Sequence, residues 1–149
     1  MDYKSTLNLP KTDFAMQAGL PKREPVMLEK WYEDKVYETV LEKNDGKPLY
    51  VLHDGPPYAN GDIHLGTALN KVLKDIIVKQ KNMSGYKANY VPGWDTHGLP
   101  IELKAMKSIG VEDGAIPPLE LRKHCREFAL SFVESQKQQF KSCLLYTSP

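Results

Sequence analysis

Cysteine is scarce in this 149-residue chain: Cys125 and Cys143 are the only two, too few to frame a disulfide-rich fold or a zinc site built on cysteine pairs. A charge excess of one sign is missing as well. Twenty Lys and Arg against nineteen Asp and Glu leave a formal net charge of +1. The chain therefore does not cling to nucleic acid by bulk charge, which says nothing about a nucleotide-sized ligand. No apolar run approaches the roughly 18 residues of a membrane span, and the opening MDYKSTLNLP has no signal-peptide hydrophobic region. A cytoplasmic protein without a membrane partner is the expectation. Internal repeats and low-complexity segments are also lacking. What is present, 41% hydrophobic and 26% charged residues, is the composition of a globular chain able to bury a core.

Residues 1–21 hold Pro10, Gly19 and Pro21 and no sustained period; they read as an extended arm with Leu7, Leu9 and Phe14 as possible anchors. From Lys22 to Lys43, Leu28, Tyr32, Val36 and Val40 recur every fourth residue, the spacing of one buried helix face, stopped by Asn44-Asp45-Gly46. Leu49 to Leu52, bounded by Pro48 and Gly55-Pro56-Pro57, predicts a buried strand. Next, Leu65, Leu69, Val72, Leu73, Ile76 and Ile77 follow the i, i+3, i+4 pattern of a helix ending near Ser84-Gly85. Lys71, Lys74, Asp75 and Lys79 fall on its other face. With Lys81 and Lys87 these lysines form the most basic stretch, which reads as the solvated side of an amphipathic helix rather than an RNA-facing surface. Tyr86 to Val91 predicts a second strand, giving a β-α-β unit with parallel strands. Helices over 101–109 and from Pro117-Pro118 onward follow, the last with Leu121, Cys125, Phe128, Phe132 and Val133 as one apolar core stripe.

The stretch from His53 to Thr67 joins the C-end of a strand to the N-end of a helix, where open parallel sheets bind ligands and where a helix start favours phosphate. Its glycines, Gly55, Gly61 and Gly66, fit neither G-x-G-x-x-G nor the P-loop. His64 and Thr67, at i and i+3, project to nearly the same side and could meet one phosphate. The plainer alternative has Thr67 and Asn60 capping the helix and His64 lying at the surface. Gly93 to Gly98 should fall at the same sheet edge. There Asp95 could pair with an ammonium group or merely shape a turn, and Trp94 could wall a pocket or pack in the core. His53, Asp54, His64, Asp95 and His97 lack the short fixed spacing of familiar metal sites, so no metal bound by this segment is expected.

HDGPPYANGDIHLGTALNKVLKDIIVK, followed by YVPGWDTHGLPIELK, closely resembles the start of the catalytic domain of class I aminoacyl-tRNA synthetases, most of all their isoleucine branch. YKSTLNLPKTDF and PKREPVMLEKW are similar to the N-terminal arm and helix of the bacterial members, and the resemblance runs from about Met1 to Lys141. It implies an α/β, Rossmann-like nucleotide-binding fold, of which this chain would carry the first, incomplete half. Residues 1–46 would be the N-terminal arm and helix, and residues 47–141 the first part of the catalytic domain. It implies activation of isoleucine by ATP, with Mg2+, to an adenylate, and transfer to tRNA(Ile) by a full-length enzyme that is a monomer; the piece alone would be inactive. His64-Leu65-Gly66-Thr67 matches the HIGH signature except that Thr67 stands where the signature has histidine. His64 and Thr67 are thereby implied as catalytic and ATP-binding, Gly66 as the place where adenine lies against backbone, and Asn60 and Gly61 as shaping the ATP site. Pro56, Trp94 and Asp95 are implied in binding isoleucine, Pro56 through its carbonyl and Asp95 through its carboxylate to the ammonium. The KMSKS loop, editing domain and anticodon-binding region of the family are not in these residues. Valyl and leucyl relatives, or a non-enzymatic nucleotide-binding module, are the competing expectations.

Residues 142–149 depart from the family pattern. The last seven are what TGT CTC TTA TAC ACA TCT CC would encode, a string resembling the transposon end of common sequencing adaptors, so read-through is the expectation for this tail. A chain cut mid-sheet should expose apolar surface on its strands and on the helix of Phe128 and Phe132, and should aggregate in isolation.

Overall fold

The computed structural model describes residues 3–8, 12–13, 17–112 and 114–143. Leu9, Phe14 and residues 144–149 of the tail lie outside them. Of the expected arm, Lys4–Thr6 forms a 3-10 turn and Leu7 is exposed rather than an anchor. Five α-helices follow among the described residues: α1 (Leu20–Glu33), α2 (Val36–Lys43), α3 (Leu65–Met83), α4 (Leu99–Ile109) and α5 (Pro118–Ser142).

The single helix expected over 22–43 is two. Lys35 takes a left-handed conformation at φ 46°; Asp34 N–H closes α1 on Lys30 O, and Lys35 O receives Thr39 N–H at the start of α2. A four-residue spacing of apolar side chains continues through one such residue and cannot register it. α3 runs as its periodicity predicts, and Gly85 follows it at φ 89°, a conformation that favours glycine.

The buried face of α3 is the reverse of the expected one. Lys71, Asp75, Val78 and Asn82 are buried, while Leu65, Leu69, Leu73, Ile76 and Ile77 are exposed. The polar stripe has partners inside the fold. Lys71 and Lys74 both bind Asp54, and Lys79 binds Asp75. Asn82 donates to Ala88 O at 2.8 Å and accepts from Ala88 N–H at 3.0 Å and from Asn44 at 3.1 Å. Lys81 lies over the rings of Tyr50 and Tyr86, and Lys87 pairs with Asp45. These lysines are therefore structural partners rather than a solvated face.

The two expected strands are reduced to one parallel bridge, Leu49 with Lys87, and a second bridge joins the loops that follow them, Tyr58 with Asp95; the described residues form no longer ladder. Alternate side chains of the first segment stay uncovered. Leu49 and Val51 are exposed, whereas Tyr50 and Leu52 pack on Val78, Ala88 and Tyr90. A second core joins Ala59, Ile101 and Ala129 to Trp94, Cys125, Phe128, Phe132 and Val133, so the apolar stripe of α5 from Cys125 to Val133 faces the core its sequence predicts and is partly buried there. Beyond Leu49 and Val51, bared apolar surface lies on α3. The isolated chain is expected to self-associate through that face, and Leu69→Glu with Ile76→Glu to return it to a monomer in sedimentation; equal association by both chains would reject this.

Candidate functional site

The N-end of α3 is built by His64. Its backbone is extended (φ −104°, ψ 168°) and its side chain caps the helix, a task the plainer of the two sequence readings gives to Thr67 and Asn60. Nδ1 accepts from Thr67 N–H at 3.2 Å, and Nε2 lies 3.1 Å from Thr67 Oγ1. A ring nitrogen that accepts an amide proton carries none, so in the neutral ring Nε2 holds the proton and donates it to the threonine oxygen. The Thr67 hydroxyl proton is then free to point outward. Gly66 makes this possible: a Cβ there would stand 3.1 Å from two atoms of the His64 ring. Gly55, Pro57, His64, Gly66, Thr67, Asn70, Lys71 and Lys74 line an open depression of about 270 Å³, edged by lysines and by the first N–H groups of the helix.

The loop before α3 has no regular structure of its own and is held from both sides. Lys104 Nζ of α4 donates to Asn60 O at 2.7 Å, and Asn60 Nδ2 donates to Pro100 O at 3.3 Å. From α5, Gln136 Nε2 donates to Tyr58 O and Gly61 O, and Gln139 accepts from Ile63 N–H at 2.9 Å. Ala59 N–H donates to Asp95 O at 2.9 Å, and Asp95 N–H to Pro57 O at 2.8 Å. The 53–67 and 93–98 segments thus lie side by side. Pro56 is exposed next to Gly93. Asp95 Oδ1 accepts from His97 N–H at 3.3 Å, shaping the turn; its side chain keeps 29% exposure. Trp94 packs in the second core and its indole N–H is taken by Gln136, so only its ring face remains to wall a pocket.

Beneath the depression, Asp54 and Lys71 side chains are each 3% exposed. Burial pushes the Asp54 carboxyl up, but hydrogen bonds from Lys71 and Lys74 outweigh it and hold the group below its ordinary value. Burial pushes the Lys71 ammonium down, the Lys74 charge adds to this, and together they outweigh the opposing pull of Asp54. Burial first, then the Asp54 charge, drives the Tyr90 hydroxyl well above the usual tyrosine value; it feels that charge without making a hydrogen bond of standard geometry. A further cleft of about 640 Å³ between α4 and α5 adjoins the 94–98 turn, with His97, Arg122, Cys125 and Arg126 in its lining. Burial, then the Glu102 charge, raises the Cys125 thiol, which makes it a poor nucleophile. Among the described residues no three His, Cys, Asp or Glu side chains gather as a metal-ligating group. Sequence reading missed Lys104, Gln136, Gln139 and the Asp54 cluster. The one available signal was the second stripe of α3, Lys71, Asp75, Val78 and Asn82, at spacings of four, three and four.

Comparison with known proteins gives a concordant result. The chain is 64% identical over 141 residues to the isoleucine--tRNA ligase of Thermoanaerobacter sp. (strain X514). It is 60% identical to those of Desulfitobacterium hafniense (strain DSM 10664 / DCB-2) and Thermotoga maritima. Each match covers 95% of this chain and 15% of the relative, so the chain spans about a seventh of their length. Its fold resembles that of the agnB2 LeuRS of Agrobacterium radiobacter K84, solved as a ternary complex with tRNA and LeuAMS. The TM-score is 0.64 at 20% identity, over 84% of this chain and 14% of that one. The family model of tRNA synthetases class I (I, L, M and V) matches residues 26–144, most of the chain, and the chain belongs to that family.

Proposed function

We propose that these residues are the amino-terminal part of the catalytic domain of an isoleucine--tRNA ligase with a Rossmann-like nucleotide-binding fold, residues 47–141 forming its first portion. The full-length enzyme would activate isoleucine with ATP, taken with Mg2+, and pass it to tRNA(Ile) as a cytoplasmic monomer. The observation that carries the reading is the Tyr58–Asp95 bridge, which joins the loop leading into α3 to the segment of Asp95, in a chain 60–64% identical to isoleucine ligases. That identity favours isoleucine over valine or leucine.

In this reading the isoleucine carboxylate attacks the α-phosphorus of ATP, a new P–O bond forms, and the bond to pyrophosphate breaks. No protein nucleophile is needed, so catalysis is positioning and charge stabilisation. His64, Thr67 and the first N–H groups of α3 meet phosphate, Asn60 and Gly61 shape the ATP loop, and adenine lies against Gly66. Asp95 and the Pro56 carbonyl hold the ammonium, with the Trp94 face beside the side chain.

The test is a chimera in which residues 1–141 replace the matching segment of the Thermoanaerobacter ligase. It should exchange pyrophosphate into ATP when given isoleucine, and a chimera that is inactive or prefers valine or leucine would sink the reading. Within it, Gly66→Ala should make the His64 ring give by a few tenths of an ångström against Thr67. A rise of about tenfold in the KM for ATP is expected, in line with a misplacement of a few tenths of an ångström to 1 Å; an unchanged KM would remove the His64–Thr67 pair from phosphate binding.

A further inference from the structure

Gln136 joins the two halves of this site through one side chain. It is 3% exposed, on α5, and far in sequence from everything it holds. Its Nε2 donates to Tyr58 O at 3.0 Å and to Gly61 O at 2.6 Å, while its Oε1 accepts from Trp94 Nε1 at 3.0 Å. The orientation of the amide is forced by chemistry: an indole nitrogen only donates and carbonyls only accept. No other side chain of this shape offers one acceptor and two donors. Glutamate would set a second oxygen against two carbonyls, and an apolar residue would orphan three polar groups. Gln139 reinforces the same stretch from one turn further on, donating to Asp62 at 2.7 Å and accepting from Ile63 N–H.

The loop at 58–61 has no ladder or helix to fix it beyond the single bridge at Tyr58, so its shape is set by side chains that reach it from α4 and α5. Gln136 is the one among them that also binds Trp94. We infer that Gln136 is a positioning residue that couples the geometry of the ATP loop to that of the amino-acid pocket, an inference that rests on the function proposed above. A shift of Gly61 is relayed through a single amide to the indole, and the converse.

The chimera tests this with three variants. Gln136→Met keeps the volume and removes all three bonds; it should raise the KM for ATP and the KM for isoleucine together, each by about tenfold or more, as misplacement of reactant-holding groups does. Gln136→Glu keeps the acceptor for Trp94 and loses both donors, so the KM for ATP should rise more than that for isoleucine. Trp94→Phe removes the indole donor together with part of the ring that packs in the second core, and should raise the KM for isoleucine more than that for ATP. A purely structural glutamine would lower thermal stability without this division. A folded Gln136→Met with both KM values unchanged, or with only one of them moved, overturns the inference. If that variant does not fold, Gln136→Glu decides: an unchanged KM for ATP overturns it, a raised one supports it. An inactive unmodified chimera would sink the function itself, and this inference with it, before any variant is compared.

Discussion

Asp95→Asn in the chimera is expected to raise the KM for isoleucine by roughly 10² to 10³-fold, the effect of losing a close charge pair worth about 2–5 kcal/mol, while the KM for ATP stays within about twofold. Asparagine is the informative replacement because it separates two roles held by one side chain. The amide oxygen can still accept from His97 N–H, the bond that shapes the 95–98 turn. The backbone bonds between residue 95 and Pro57 and Ala59 do not depend on the side chain at all. What disappears is the negative charge. Asp95→Ala removes the charge and the turn bond together, and its KM for isoleucine should rise at least as far. The pyrophosphate-exchange assay with isoleucine varied at saturating ATP measures both. An Asp95→Asn enzyme with a KM for isoleucine within a few-fold of the parent would reduce Asp95 to a turn former, the other reading its sequence context allowed.

Local pattern carried much of this fold, and its failures have a shared cause. The limits of α3, the start of α5 at Pro118 and the apolar stripe of α5 follow from periodicity, proline and glycine alone. The nearness of the two loops followed from their place at the ends of parallel segments, and the Tyr58–Asp95 bridge agrees. Sequence reading went astray where burial depends on what else is present. α3 carries two stripes, and the more apolar one was assigned to the core. The fold buries the other, because Asp54, Asn44 and the 86–90 segment supply its partners. A chain that spans about a seventh of its relatives' length need not contain what covers the apolar stripe. The segments at 49–52 and 86–91 fall short of strands as well: a single bridge, Leu49 with Lys87, joins them. Gln136 was invisible for a different reason: its partners lie 42 to 78 residues away, and nothing in the local sequence marks a glutamine that spans them.

Asp54→Asn should loosen α3 more than any other single change under the depression. It leaves Lys71 as a buried cation with only a neutral acceptor, and breaking a buried pair in this way costs about 3–5 kcal/mol. Amide exchange in the middle of α3 should quicken by roughly 10² to 10³-fold, measured by mass spectrometry on the chimera. The converse substitution should be mild. Lys71→Met removes the cation that burial disfavours, leaves an apolar chain between the rings of Tyr90 and Phe140 that Lys71 now lies against, and still leaves Asp54 bound to Lys74 at 2.5 Å. Its cost should stay below about 1–2 kcal/mol, since replacing a buried ion by a well-packed hydrophobe is often close to neutral. The pH dependence separates the two as well. Because the folded Asp54 carboxyl sits below its ordinary value, its contribution is complete above the unfolded value of about 3.9 and is lost as pH falls through the lowered folded one. Asp54→Asn should therefore flatten the acid limb of α3 stability, while Lys71→Met keeps a limb through Lys74. Equal losses from the two substitutions would mean that the lysine and the carboxylate matter only to each other, and that the two-to-one charge arrangement beneath the site does not set the order of α3.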